Sequence, residues 1–133
     1  MRRLLVALLT LVGAFALVSW WALEWSGVAI VETEMADGST RSTHVWYTEP
    51  SGEVWLEAGT PTNGWYLDVQ REPALVLTID GSPRPYEAAT VAGRGAHERI
   101  RSLIREKYGS RDVWVNLFVD TSESIGVRLI TPR

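Results

Sequence analysis

Cysteine is absent from the 133-residue chain. That excludes disulfides and thiolate chemistry, and it says little about compartment, because small exported domains often lack the residue. Histidine is scarce, with His44 and His97 the only two. Two imidazoles so far apart, with no thiol, make no convincing metal set. The sequence contains no Gly-x-Ser-x-Gly nucleophile elbow, no P-loop and no Gly-x-Gly-x-x-Gly, so hydrolase and nucleotide-triphosphatase readings have no support. Positive charge is not in excess either. Of 13 Lys and Arg, two (Arg2 and Arg3) open the chain, and of 16 Asp and Glu only Glu24 precedes residue 26, which leaves 11 basic against 15 acidic residues downstream. A nucleic-acid partner would want a basic face, so none is expected. Internal repeats and low-complexity segments are missing as well.

Charge is also missing from Leu4 to Leu23, where only Thr10 and Ser19 are clearly polar. At ~1.5 Å per residue this run spans about 30 Å, the thickness of a bilayer core. Trp20, Trp21 and Trp25 stand at its downstream end, where an aromatic belt is expected. Arg2 and Arg3 precede the run, and Glu24, Glu32, Glu34 and Asp37 follow it. This bias points the amino end to the cytoplasm and the rest of the chain outward. The rival reading is a signal peptide cleaved after Ala14-Phe15-Ala16. Cleavage there would leave the tail "LVSWWALEW" exposed to water, which favours an uncleaved anchor. A buried core helix fits less well, because the run shows no polar stripe. Residues 1–25 are thus read as a transmembrane anchor or signal peptide, and residues 26–133 as one domain.

Downstream the apolar pattern alternates. "GVAIVETEM" reads as a strand that turns at Asp37-Gly38. "RSTHVWYT" has Val45 and Tyr47 on one side and His44 and Trp46 on the other. "EPSGE" is a second turn, and "EVWLEA" a third strand with Val54, Leu56 and Ala58 on one face. A loop without charge, "GTPTNG", leads into a helix over Gly64–Arg71, which Glu72 ends because it precedes Pro73. "ALVLTI" and "RPYEAATVA" are strands joined at Asp80-Gly81, with Pro85 near a strand end or edge. "AHERIRSLIREKYG" is amphipathic, with Ile100, Leu103, Ile104 and Tyr108 on one face and Glu98, Arg101, Arg105 and Glu106 on the other. Gly109 stops it. "SRDVWVNLF" begins a second short helix capped by Ser110, or packs irregularly. "SIGVRLI" closes the chain as a sixth strand.

The expected fold is therefore mainly β with inserted helices, a small closed barrel of six strands preceded by one transmembrane helix. The resemblance that follows implies that it is a split β-barrel of FMN-binding type. Crossover helices are too few for a Rossmann-type sheet. Residues 40–130 resemble the split β-barrel flavoprotein superfamily, and most nearly its deazaflavin-dependent nitroreductase-like branch, related to pyridoxamine-phosphate-oxidase-like proteins. Four features in order carry the resemblance. They are a strand with Arg41, Thr43, Trp46 and Tyr47; the small-residue loop from Ala58 to Tyr66; Arg71-Glu72-Pro73 before an apolar strand; and the helix end at Lys107 to Gly109.

The resemblance implies a deazaflavin coenzyme or FMN in a groove usually completed by a second subunit, with homodimerisation to match. Its phosphate side would meet Arg41, Thr43 and the loop residues Gly59, Thr60, Thr62, Asn63 and Gly64. Trp65 or Tyr66 would offer a stacking face. The ring would carry the hydride and the protein would orient it. Deazaflavin-binding relatives commonly place Lys or Arg in this loop. Here it holds neutral donors only, and it can also be a plain strand-to-helix connection.

Other residues read more plainly. His44 is an acid–base candidate or a structural histidine, and His97 is an exposed helix start. Trp46, Trp55, Tyr108 and Trp114 are packing residues. Arg99, Arg101, Arg105 and Lys107, interspersed with Glu98 and Glu106, form a solvated helix face. Two functions remain open. One is a membrane-anchored flavin- or deazaflavin-dependent oxidoreductase acting on a nitro- or quinone-type substrate. The other is a cofactor-less barrel serving as a ligand-binding or interaction module at the membrane.

Overall fold

The computed structural model describes residues 2–24, 27–90 and 93–132. An apolar helix α1 (Arg2–Glu24) leads into β1 (Val28–Glu34), β2 (Thr40–Thr48) and β3 (Val54–Ala58). Helix α2 (Gly64–Arg71) follows, then β4 (Ala74–Ile79), β5 (Ser82–Thr90), α3 (Arg94–Tyr108), α4 (Ser110–Asn116) and β6 (Ile125–Ile130). The six strands close into a barrel in the order β1-β2-β3-β6-β5-β4, with every pair antiparallel. This is the barrel that the strand pattern leads one to expect. Trp25 lies outside the described residues, and so do Ser26, Val91 and Ala92.

Turn chemistry sets the hairpins. The β1–β2 turn places Gly38 at φ 82°, and Asp37 Oδ1 accepts from the Ser39 amide at 3.0 Å. In the β4–β5 turn Asp80 and Gly81 both have positive φ, 49° and 75°, the pairing that a tight two-residue hairpin requires. Pro83 and Pro85 sit in the half of β5 that pairs only with β4, since β6 joins β5 from Glu87 onward. Their missing N–H groups therefore cost no ladder bond.

Inward alternation fills the barrel with Ala29, Val31, Val45, Tyr47, Leu56, Leu75, Leu77, Val127 and Leu129. Helix α2 stops one end with Trp65, Tyr66 and Val69. Each large side chain buried this fully contributes about 1.5–3 kcal/mol. A second cluster lies outside the barrel, where Ile100, Leu103, Ile104 and Tyr108 of α3 pack on Trp55. Gly126 permits that contact, because a Cβ there would lie 3.0 Å from Ile100 Cβ. Gly109, at φ 52°, ends α3 and is also the N-cap of α4. Ser110, expected as that cap, is instead the first helical residue, since the left-handed glycine between the two helices already makes the turn.

One opening in the barrel matters for function. Strands β2 and β3 pair only at Tyr47↔Leu56 and Thr48↔Trp55. Below Tyr47, β2 continues alone on that side, and the loop from Gly59 to Asn63 enters the gap. Helix α1 stays out of the core: it is exposed from Arg2 to Val18, and it is long and apolar enough to cross a membrane.

Candidate functional site

Where β2 parts from β3, a cleft of about 220 Å³ opens on the outer side of the barrel. Its floor along β2 is His44 and Trp46, with Val45 of the barrel core between them, and Gly59, Asn63 and Trp65 close it from the loop and the first turn of α2. Glu57, Arg101 and Asp112 form a polar wall, and Leu23, Val28, Val115 and Val119 form an apolar one.

The polar wall is an ion triad. Arg101 Nη1 donates to Glu57 Oε1 at 2.7 Å and Nη2 to Asp112 Oδ1 at 2.6 Å. All three side chains are at most 10% exposed. Burial works against the guanidinium charge, but Glu57 and Asp112 outweigh it and raise the Arg101 pKa. Arg101 is therefore a buried wall of the cleft and not part of a solvated helix face as its sequence context suggested. Asp112 Oδ2 is buried without a hydrogen-bond donor, and Arg105 Nε lies 3.9 Å from it. Trp65 Nε1 is buried with no acceptor among the described residues.

Behind the floor, Trp46 stacks on Tyr108 with centroids 4.3 Å apart and planes 9° apart. The Arg111 guanidinium lies 5.2 Å from the Tyr108 centroid and 5.8 Å from that of Trp46. Tyr108 Oη accepts the Tyr47 amide at 2.9 Å and shares its proton between Tyr47 O and Gly27 O. Burial raises its pKa. Lys107, expected in solvent, has an exposed stem but folds its ammonium inward. The Nζ donates to Tyr47 O at 2.7 Å and sits 3.2 Å from the Tyr47 ring centroid. Burial lowers its pKa to about 8. His97 is likewise engaged, with Nδ1 donating to Ser124 O at 2.8 Å.

The residues singled out from the sequence fall into three groups. Gly59, Asn63 and Trp65 line the cleft. Arg41 and Gly64 meet beside it, with Arg41 Nη1 only 2.8 Å from where a Gly64 Cβ would sit. Only glycine lets the guanidinium lie on the first turn of α2. Arg41 Nε also donates to Asp68 Oδ2 at 2.7 Å, and Thr33 Oγ1 donates to the same oxygen at 2.9 Å. Part of the Arg41 charge is thus already answered. Thr60 and Thr62 are exposed and bonded to each other at 3.1 Å, so they face solvent beyond the cleft. Thr43 is half-buried on the same side of β2 as Arg41, away from the cleft floor. Trp65 is 1% exposed and Tyr66 5%, both within the barrel core. Tyr66 does not reach the cleft, and Trp65 lines it while remaining part of that core. The aromatic residue on the floor is Trp46. Asn63–Gly64 is the peptide that joins the cleft to the Arg41 corner.

Sequence reading missed Glu57, Arg101 and Asp112 altogether. A usable signal did exist for Arg101: at 100° per residue it falls about 20° beyond Tyr108, at the edge of the apolar arc of α3.

No protein-family model matches the chain, and no curated protein matches it either. Solved structures do. A conserved hypothetical protein of Mycobacterium tuberculosis is 22% identical, with a TM-score of 0.60 over 89% of this chain and 80% of its own. An F420-H2 dependent reductase (FDR-A) is 20% identical, with a TM-score of 0.57 over 77% of this chain and 92% of its own. A heme binding protein of Mycobacterium smegmatis is 12% identical, with a TM-score of 0.54 over 84% of this chain and 50% of its own. The chain has the split β-barrel fold of these proteins. That fold serves more than one cofactor.

Proposed function

We propose that the chain is a membrane-tethered oxidoreductase that uses a deazaflavin coenzyme or FMN to reduce a small or lipid-soluble acceptor. The observation that carries this reading is the cleft at the β2–β3 parting, with Trp46 and Asn63 on its lining and Arg41 against the first turn of α2 beside it. Trp46 offers an apolar floor for a planar ring, and Asn63 supplies a donor at its edge. Arg41 and the amides that open α2 suit an anionic group across the Asn63–Gly64 peptide. The bound cofactor would supply hydride transfer, which no side chain here performs. The triad of Arg101, Glu57 and Asp112 fixes the opposite wall and keeps a charged, hydrogen-bonded rim beside the reacting face.

Helix α1 would tether the domain, with the amino end cytoplasmic and residues 27–132 outside, and a second copy would complete the groove. A second reading, a cofactor-less ligand-binding module, is favoured by one observation: the loop has no Lys or Arg, and Asp68 already pairs with Arg41. Titrating the detergent-solubilised full chain with FMN and with F420 separates the two. Saturable quenching of cofactor fluorescence is expected. Arg41→Ala is expected to weaken affinity by about 1–3 kcal/mol, and unchanged affinity removes Arg41 from the site. A chain that quenches neither cofactor leaves the binding module.

A further inference from the structure

Outside α1, exposed apolar side chains gather at the end of α4. Among the described residues beyond α1, seven large apolar side chains stand exposed, and four of them fall within residues 113–119. That stretch, "VWVNLFV", carries no charge. Val113, Leu117 and Phe118 are 58%, 67% and 62% exposed, whereas a helix of a water-facing domain ordinarily turns such residues inward.

Helix α4 runs antiparallel to the end of α1, and three contacts fix the pairing. Arg111 Nε donates to Ala22 O at 2.8 Å, Trp114 Nε1 donates to Ser19 Oγ at 3.4 Å, and Phe118 meets Phe15 edge-on at 5.4 Å. Each turn forward along α4 is thus a turn back along α1. Phe15 is five residues before Trp20, about 8 Å along the helix at ~1.5 Å per residue. With α1 across a bilayer and its tryptophans at the interface, Phe118 lies about 8 Å below that belt. Membrane-surface helices sink their apolar faces to a similar depth, roughly 5–10 Å.

Polar groups at the end of α4 are answered within the protein, as a medium without water requires. Asn116 Oδ1 accepts from Thr121 Oγ1 at 2.8 Å, and the amides of Leu117, Phe118 and Val119 donate to Trp114 O and Val115 O. The first charge after the patch is Asp120, whose Oδ1 accepts the Ser122 amide at 2.9 Å and marks the return to water.

We infer that the end of α4 is embedded in the membrane, where Val113, Leu117 and Phe118 meet acyl chains. Two lipid-facing elements then hold the domain, and the barrel is seated on the bilayer by a fixed face instead of swinging from α1 alone. This rests on α1 spanning a bilayer, as in the reading above, and goes beyond it. The occupant is lipid and not a second copy. Whatever covers Phe118 must continue along Phe15 and the exposed residues of α1 before it, which the bilayer already covers.

The test uses the full chain in phosphatidylcholine vesicles. Because the chain has no cysteine, single nitroxide labels report accessibility cleanly. They are placed at Leu117→Cys and Phe118→Cys on the patch, at Leu9→Cys on α1 and at Ala36→Cys on the exposed β1–β2 turn. Leu117 makes none of the three contacts to α1, so its label tests the patch even where loss of the Phe118 ring disturbs the pairing. The readout is the ratio of collisions with oxygen, which concentrates in lipid, to collisions with an aqueous nickel chelate. At 117 and 118 the ratio is expected to stand several-fold above that at 36 and to approach that at 9. Ratios at 117 and 118 as low as at 36, with a high one at 9, overturn the inference and leave the tether. Low ratios at all four positions overturn both. Shielding from both reagents at 117 and 118 means that protein covers the patch, and dipolar broadening between labelled chains identifies it as a second copy; either result overturns the inference.

Discussion

Inside the barrel, Leu56, Leu77 and Val127 close on one another with Trp65 and Val31, all of them nearly inaccessible. A few ångströms outward, on the other side of the same strands, α3 and α4 bury Arg101 and Asp112 and leave an open cleft. At one end of the interior, α2 drives two aromatic rings into the packed core. The outer flank has space and charge. Apolar packing closes this barrel, and the buried charges on its outer flank are held by one another.

The two Arg–Asp pairs sharpen the contrast. Arg41–Asp68 lies at the barrel end with the arginine side chain 38% exposed, and Arg101–Asp112 lies on the flank with both partners at 10% or less. Removing a partner from the buried pair should cost far more, because the remaining charge has no water to turn to. Asp112→Ala is therefore expected to destabilise the full chain by about 3 kcal/mol, and Asp68→Ala by about 1 kcal/mol. Urea unfolding in detergent, followed by circular dichroism, measures both. Equal losses would erase the distinction between the regions.

Glycines give a smaller version of the same comparison. A Cβ on Gly126 meets Ile100 Cβ at 3.0 Å and Cγ2 at 3.3 Å, in a contact of helix on sheet. On Gly64 it meets the far end of the Arg41 side chain, which can swing away. Gly126→Ala is expected to cost about 1–3 kcal/mol and Gly64→Ala less, by the same unfolding measurement. The reverse order would mean that Arg41 is held rigidly and α3 is loosely seated.

The smallest effect is a slope with pH. The Lys107 pKa falls from 10.5 to about 8 in the folded chain. Between those values the unfolded chain holds a proton that the folded chain has released, so stability rises with pH across that window. The raised Tyr108 pKa acts oppositely and at higher pH: the folded chain keeps a proton that the unfolded one loses above about 10. Tm measured across the window should climb for the native chain and climb less for Lys107→Met. Identical profiles would show that the ammonium is fully solvated.

Much of this architecture was legible because the chain is well punctuated. Pro73 and the Asp80-Gly81 pair bound β4, and Gly109 divides α3 from α4, so the six strands, α2 and α3 follow from local pattern. Helix α4 follows only as one of two readings, and the short 3-10 helix Pro50–Gly52 reads as a turn. The site was less legible. Arg101 and Lys107 carry charge, and charge ordinarily means exposure. Yet at 100° per residue Arg101 falls about 20° beyond Tyr108 at the edge of the apolar arc, and Lys107 falls about 20° from Ile100 within it. Their partners could not be read locally, since Glu57 and Asp112 lie 44 and 11 residues from Arg101. The cleft itself arises from where β2 leaves β3, a consequence of register that no short motif records. Trp65 and Tyr66 were marked for stacking by their place after a loop, but the end of the barrel needed plugging, and α2 supplies the two rings for it.

The reading of this protein depends on a planar redox ring lying outside the barrel, on the floor that Trp46 makes. A structure of the full chain soaked with F420 or FMN is the direct measurement. The expected result is ring density in the cleft beside Trp46 and Asn63, with the anionic end across Gly64 toward Arg41. A ring bound elsewhere, or an empty cleft at saturating cofactor, would contradict it.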